Sequence, residues 1–249
     1  MSTSPTFSRP LHLTLCLGVP LLLIVLLLLG NPSRLDFALA DLFYQPGVGF
    51  IARRSAFFED ILHDRAKQAV ILIGVLAIAG FLVSLLYAPW RHLRASLGYL
   101  VLAMGLSTAI VPPLKIITGV HCPWSLTRYG GVESYSPLIG ERAPTLKPGR
   151  CWPGGHATSG FAFFALYFVL RDRRPRLARA AFVGALALGG LFSLARMMQG
   201  AHFLSHNLWT ALFDWLICLG CYALLLYRRP APVMAEASQT PASTSSNPD

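Results

Sequence analysis

Six apolar runs, at 11–30, 68–88, 95–114, 156–171, 177–196 and 203–227, decide what this chain can fold into. A hydrocarbon core of ~30 Å takes about 20 helical residues to cross. Inside it each backbone polar group must be satisfied within the segment, so runs of this kind are helices. The expected fold is all-α, a polytopic six-transmembrane-helix bundle forming a single domain over 1–230. The residues at 231–249, rich in Pro, Ala, Ser and Thr, are expected to form a disordered cytoplasmic tail. The fourth run is short, so its polar start is expected at the interface. The first run has Arg9 before it and Ala38-Leu39-Ala40 after it, as a signal peptide would. It exceeds the roughly 7–15 apolar residues of such a signal, and is expected to remain as a span.

Composition supports a membrane protein. Of 249 residues, 54% are hydrophobic and only 13% charged, against about 25% charged in soluble domains. The net charge of +10 does not point to nucleic acid, because the basic residues cluster in short gaps between apolar runs. Arg91 and Arg94, then Arg171, Arg173, Arg174, Arg176 and Arg179, then Arg228 and Arg229 fall on one side with the N-terminus. That side is expected to be the cytoplasmic face of an inner (plasma) membrane. The opposite side then carries 31–67, 115–155 and 197–202. Within the first of these, Phe57, Phe58, Ile61 and Leu62 have helical spacing, with Arg54, Glu59, Asp60 and Asp64 between them. They predict an amphipathic helix, lying on the membrane or packed on the bundle. Residues 123–150, dense in Pro and Gly, predict an irregular loop of the sort that binds ligands.

The polar residues at this outer boundary suggest phosphate chemistry. Ionisable groups at a membrane are costly and count as site candidates. Lys115 ends the third run. A lysine there can simply snorkel, but its loop leads to the other polar groups. Next comes Cys151-Trp152-Pro153-Gly154-Gly155-His156. Gly154 and Gly155 let the backbone approach an anion at a helix start, and His156 can give a proton to a departing oxygen. Then Arg196 is followed by His202 and His206, which share a helix face. Arg196 can hold phosphate oxygens in a fork, and a neutral histidine can act as nucleophile.

With Lys115 followed by six residues and Cys122-Pro123, then Pro153-Gly154-Gly155-His156, then Ala195-Arg196-x5-His202-x3-His206, the chain resembles the type 2 phosphatidic acid phosphatase family of membrane lipid phosphatases. That family's pattern is Lys-x6-Arg-Pro, Pro-Ser-Gly-His and Ser-Arg-x5-His-x3-Asp. The resemblance covers most of residues 68–227. It implies a lipid-phosphate substrate, His202 as the nucleophile that becomes a phosphohistidine, and His156 as the acid for the leaving oxygen. It also implies phosphate binding by Lys115, Arg196 and the backbone near Gly155, with no cofactor and no metal. Polyprenyl diphosphate, lipid A or a glycerophospholipid phosphate all suit it. Transfer of the phosphoryl group to another lipid, or non-catalytic binding or transport of a lipid phosphate on the same fold, remain alternatives.

Four positions depart from the pattern. Cys122 stands for the family's arginine, Gly154 and Ala195 for its serines, and His206 for the aspartate that supports the nucleophile. Arg128 and Arg150, close in sequence, are expected to supply the missing cation. A neutral His206 is expected to accept a hydrogen bond from His202, which would make the site acid-sensitive. Cys122 and Cys151 flank the outer loop, where oxidising conditions allow a disulfide. Closing about thirty residues would contribute roughly 3–4 kcal/mol in the entropy model. Cys16, Cys218 and Cys221, in apolar runs, read as packing residues. A zinc site drawn from the same histidines and cysteines has ligand spacing only at His202 and His206.

Overall fold

The computed structural model describes residues 8, 10–12, 14–53, 55, 66–145 and 147–227. The amphipathic segment around Phe57–Asp64 and the tail at 231–249 lie outside the described residues.

Each of the six apolar runs is helical. The first is a π-helical turn, Thr14–Gly18, running into α1, Val19–Leu29. Asn31, at a φ of 42°, and Pro32 then bend the chain by 87° into α2, Ser33–Leu42. The second run is α3, Ala66–Leu86. The third is α4, Arg94–Ala109, continued by α5, Val111–Thr118. Pro112 and Pro113 fall in the first turn of α5, where a missing N–H costs no bond. The fourth run divides into α6, Gly155–Phe161, and α7, Phe164–Leu170. The fifth is α8, Pro175–Met198, and the sixth α9, Leu204–Leu225. By length and apolarity Ala88–Ser125, α8 and α9 are each able to cross a membrane, and the bent pair α1–α2 raises the number to four. Val70–Leu86 and Gly155–Leu170 are shorter apolar helices.

The core forms where α6 and α7 pack on α8, and α4 and α7 on α9. Phe161, Phe164, Phe168 and Tyr222 are buried there, with Trp215 and Phe182 against them. Gly160 and Gly189 let α6 and α8 approach backbone to backbone, since a Cβ on Gly160 would sit 2.2 Å from the Gly189 nitrogen. The outward face of α1 exposes Leu22, Leu26 and Leu29, a pattern suited to lipid contact rather than water. A short antiparallel hairpin, β1 at Tyr44–Gln45 and β2 at Gly49–Phe50, covers the end of the bundle with α2. Phe50, Leu126, Tyr129 and Phe203 form a second buried cluster beneath it.

Candidate active site

The turn between α8 and α9 carries His202, and three backbone hydrogen bonds pin it. Ala201 N–H donates to the Arg196 carbonyl at 2.9 Å, Trp124 N–H to Gly200 at 3.0 Å and Ala52 N–H to Met198 at 3.2 Å. Gly200 has a φ of 70° and lies against the Phe50 ring, where a Cβ would come within 2.2 Å. Only glycine meets both demands. Arg196 is placed by its Nη1 donating to Gln199 Oε1 at 2.8 Å and by Trp124, whose ring centre lies 5.9 Å from its Cζ.

One contributor to this turn was missed in the sequence. The buried Asp36 of α2 accepts from Ser205 N–H at 2.9 Å and Ser205 Oγ–H at 2.5 Å. It thereby satisfies an N–H at the start of α9 that no residue of the helix can reach. Burial pushes the Asp36 carboxyl up, while Ser205 opposes this. The available signal was an acid inside the apolar stretch Leu35-Asp36-Phe37-Ala38.

The glycine turn docks on α9 and α5. Gly154 N–H donates to the His206 carbonyl at 3.1 Å. Thr210 Oγ–H is shared between the carbonyls of Gly154 at 3.1 Å and His206 at 3.0 Å. On the other side Thr118 Oγ–H reaches the Trp152 carbonyl at 3.1 Å. Gly155 opens α6 directly beside Lys115, so that a Cβ on it would stand 3.4 Å from Lys115 Nζ. A cavity of about 490 Å³ between α3 and α4, lined by Val70, Gly74, Ile78, Met104 and Thr108, reaches Gly155.

These elements bring Lys115, His156, Arg196 and His206 around His202, which is 4% exposed. Burial first, then the positive charge of Lys115, holds the His202 imidazole well below its ordinary range. A neutral imidazole surrounded by cationic side chains can attack an anionic phosphorus centre, and the cations can bind its oxygens.

Other expectations need correction. The N–H of Gly154 is taken by His206, so it is not a phosphate donor in this arrangement. Arg128 is turned away into an exposed fork with Asp41, at 3.1 Å and 2.6 Å, over the Phe37 ring. Arg150 is exposed and has no hydrogen-bond partner among the described residues. His206 does not bond His202, since the ring centres are 6.0 Å apart and His206 Nδ1 has no hydrogen-bond partner among the described residues. Instead His202 Nδ1 faces Cys151 Sγ at 3.4 Å.

Cys122 and Cys151 are joined in a disulfide, with Cα atoms 5.1 Å apart. Cys16, Cys218 and Cys221 stay unpaired. Ligand atoms of Cys151, His202 and His206 gather within 4.8 Å of one another. A disulfide sulfur is not a thiolate, however, so the trio is not a zinc ligand set while the bridge is intact.

The chain is similar to known proteins. The chain is 26% identical over 205 residues to the lipid A 4'-phosphatase of Francisella tularensis subsp. novicida, covering 79% of this chain and 88% of that protein. Its fold is similar, with a TM-score of 0.52 and 16% identity, to the crystal structure of a transmembrane PAP2 type phosphatidylglycerolphosphate phosphatase from Bacillus subtilis. That likeness covers 84% of this chain and 94% of the other. Residues 96–230, which hold Lys115, the glycine turn, Arg196, His202 and His206, match the PAP2 superfamily, and the chain belongs to that family of phosphatases.

Proposed function

We propose that the chain spans an inner membrane six times and hydrolyses a lipid phosphate at the extracytoplasmic boundary, through a phosphohistidine on His202. The observation that carries this reading is that Lys115, Arg196 and His156 lie near enough to the buried His202 to act on its imidazole, which burial first and then Lys115 hold below its ordinary range. His202 Nε2 attacks phosphorus while the bond to the lipid oxygen breaks, and His156 gives that oxygen its proton. Water then attacks the phosphohistidine, passing a proton back to His156, and the P–N bond breaks to release phosphate. Lys115, Arg196 and the N–H of Gly155 neutralise the phosphoryl oxygens, the main source of rate in such transfers.

The cavity between α3 and α4 supports an amphiphilic substrate, because it lets a chain lie among apolar side chains while the phosphate meets Gly155. Among the substrate classes, the named activity of the Francisella relative favours a phosphorylated lipid A. A second reading, binding without turnover, draws on one observation, that the family's arginine is replaced by a bridged Cys122.

The test is phosphate release by protein in nanodiscs, supplied with lipid A, polyprenyl diphosphate, phosphatidylglycerolphosphate and phosphatidic acid. His202→Ala and His156→Ala should abolish release. Turnover that survives both substitutions rejects the mechanism. Tight binding without release, on every lipid, favours the second reading. Phosphate appearing on an added lipid instead of in solution identifies a phosphotransferase.

A further inference from the structure

We propose that the Cys151 sulfur, rather than His206, is the positioning group that fixes the tautomer of His202. The inference rests on the reading of His202 as nucleophile. An attacking imidazole needs its far ring nitrogen protonated and held by an acceptor, so that the attacking nitrogen keeps its lone pair. His206 occupies the position of the family's acid but makes no such bond, with ring centres 6.0 Å apart. Cys151 Sγ lies 3.4 Å from His202 Nδ1 and is fully buried.

A sulfur in a disulfide carries no proton and can only accept, weakly. Its lone pairs therefore favour a proton on Nδ1 and disfavour a lone pair there. The proton on Nδ1 leaves Nε2 unprotonated. Cys151 N–H donates to the Val120 carbonyl at 2.9 Å, and this backbone bond keeps the sulfur beside Ala201, one residue before the histidine, with or without the bridge. Two departures from the family pattern then belong together. The position that loses its arginine is bonded to the sulfur that stands in for the aspartate.

Comparing Cys122→Ala with Cys151→Ala separates this role from a merely structural one. Both break the bridge, but only the second removes the sulfur beside His202. In Cys122→Ala the Cys151 thiol can direct its proton to Ala201 and still accept from Nδ1. Its kcat is expected within about fivefold of the parent, whereas Cys151→Ala should fall about 30-fold or more with KM moving under about threefold. The fall is smaller than that for removing a carboxylate partner, because sulfur is the weaker acceptor. Equal falls in the two variants, or a Cys151→Ala kcat within about fivefold of the parent, overturn the proposal.

If Cys151→Ala does not fold, reduction of the intact protein by a phosphine decides. Both sulfurs then remain, and kcat should stay within about fivefold, while its loss overturns the proposal. Failure of the underlying reading looks different, since His202→Ala would then keep its turnover.

Discussion

Restoring the family's serine at Gly154 should damage this chain rather than improve it, and the damage should be relieved by shortening Asn207. A Cβ built on Gly154 would lie 2.2 Å from Asn207 Oδ1 and 3.2 Å from its Cγ. Contacts under about 3.0 Å do not persist, so either the turn or the amide must move by most of an ångström. The turn is held by Gly154 N–H on His206 and by Thr210 on the Gly154 carbonyl, and Asn207 is the easier group to displace. Displacing it breaks the Asn207 Nδ2–H bond to the Phe203 carbonyl, 3.2 Å long and buried. That bond contributes about 1 kcal/mol, and an off-rotamer side chain costs about 0.5–1.5 kcal/mol more. Gly154→Ser should therefore destabilise by about 2 kcal/mol, within the usual range for overpacking.

Thermal unfolding in detergent, followed by tryptophan fluorescence, reads this as a fall in Tm of about 4–8 °C. Asn207→Ala alone should cost about 1 kcal/mol from the lost bond. In the double variant the serine fits the vacated space, so the pair should melt close to Asn207→Ala, a coupling of about 2 kcal/mol. A Gly154→Ser protein as stable as the parent would refute the reasoning. So would a double variant whose losses simply add.

Three further outcomes follow from the site. Asp36→Ala should lower stability by about 1–3 kcal/mol and reduce kcat, since Ser205 N–H and Oγ–H lose their acceptor at the start of the helix carrying His206; unchanged melting would count against it. Arg128 holds the Asp41 carboxyl below its usual value, so their pair contributes stability above the unfolded pKa near 4 and loses it as pH falls through the folded value. Both ends are exposed, so the gap in Tm between the parent and Asp41→Asn should correspond to under about 1 kcal/mol at pH 6 and close in acid. His202 is held low by burial and by Lys115, so the acid limb of kcat/KM should lie below the ordinary histidine value near 6.5, and a limb at or above that value would count against it.

The helices were legible because membrane thickness sets a length that sequence can be measured against. Lys115, His156, Arg196 and His202 were legible for a related reason, since each ends or begins an apolar run and so falls at one boundary. The rest depended on contacts that sequence spacing does not encode. Asp36 meets Ser205 across 169 positions, and Arg128 meets Asp41 across 87. Arg128 was expected in the pocket because it is six residues from Cys122, yet the 3₁₀ turn at Thr127–Tyr129 sends its side chain outward to α2. His206 was expected to bond His202 because four residues share a helix face. His202, however, stands before α9 begins at Leu204, so the helical rule does not reach it.

Departures from a family pattern therefore carry more when read in pairs than singly. Counted one at a time, Cys122, Gly154 and His206 look like a phosphate site losing its parts. In the structure the first two have counterparts that only the fold reveals. Cys122 is bonded to Cys151, whose sulfur meets His202 Nδ1. Gly154 faces Asn207, whose amide fills the space a serine would take. His206 gives its carbonyl to the glycine turn while its Nδ1 is left without a partner. A site that was merely decaying would have no reason to fill the vacated positions with interlocking groups. Such substitutions should cost stability when reversed alone and little when reversed together with their counterparts, and that non-additivity would distinguish a rebuilt site from an eroding one.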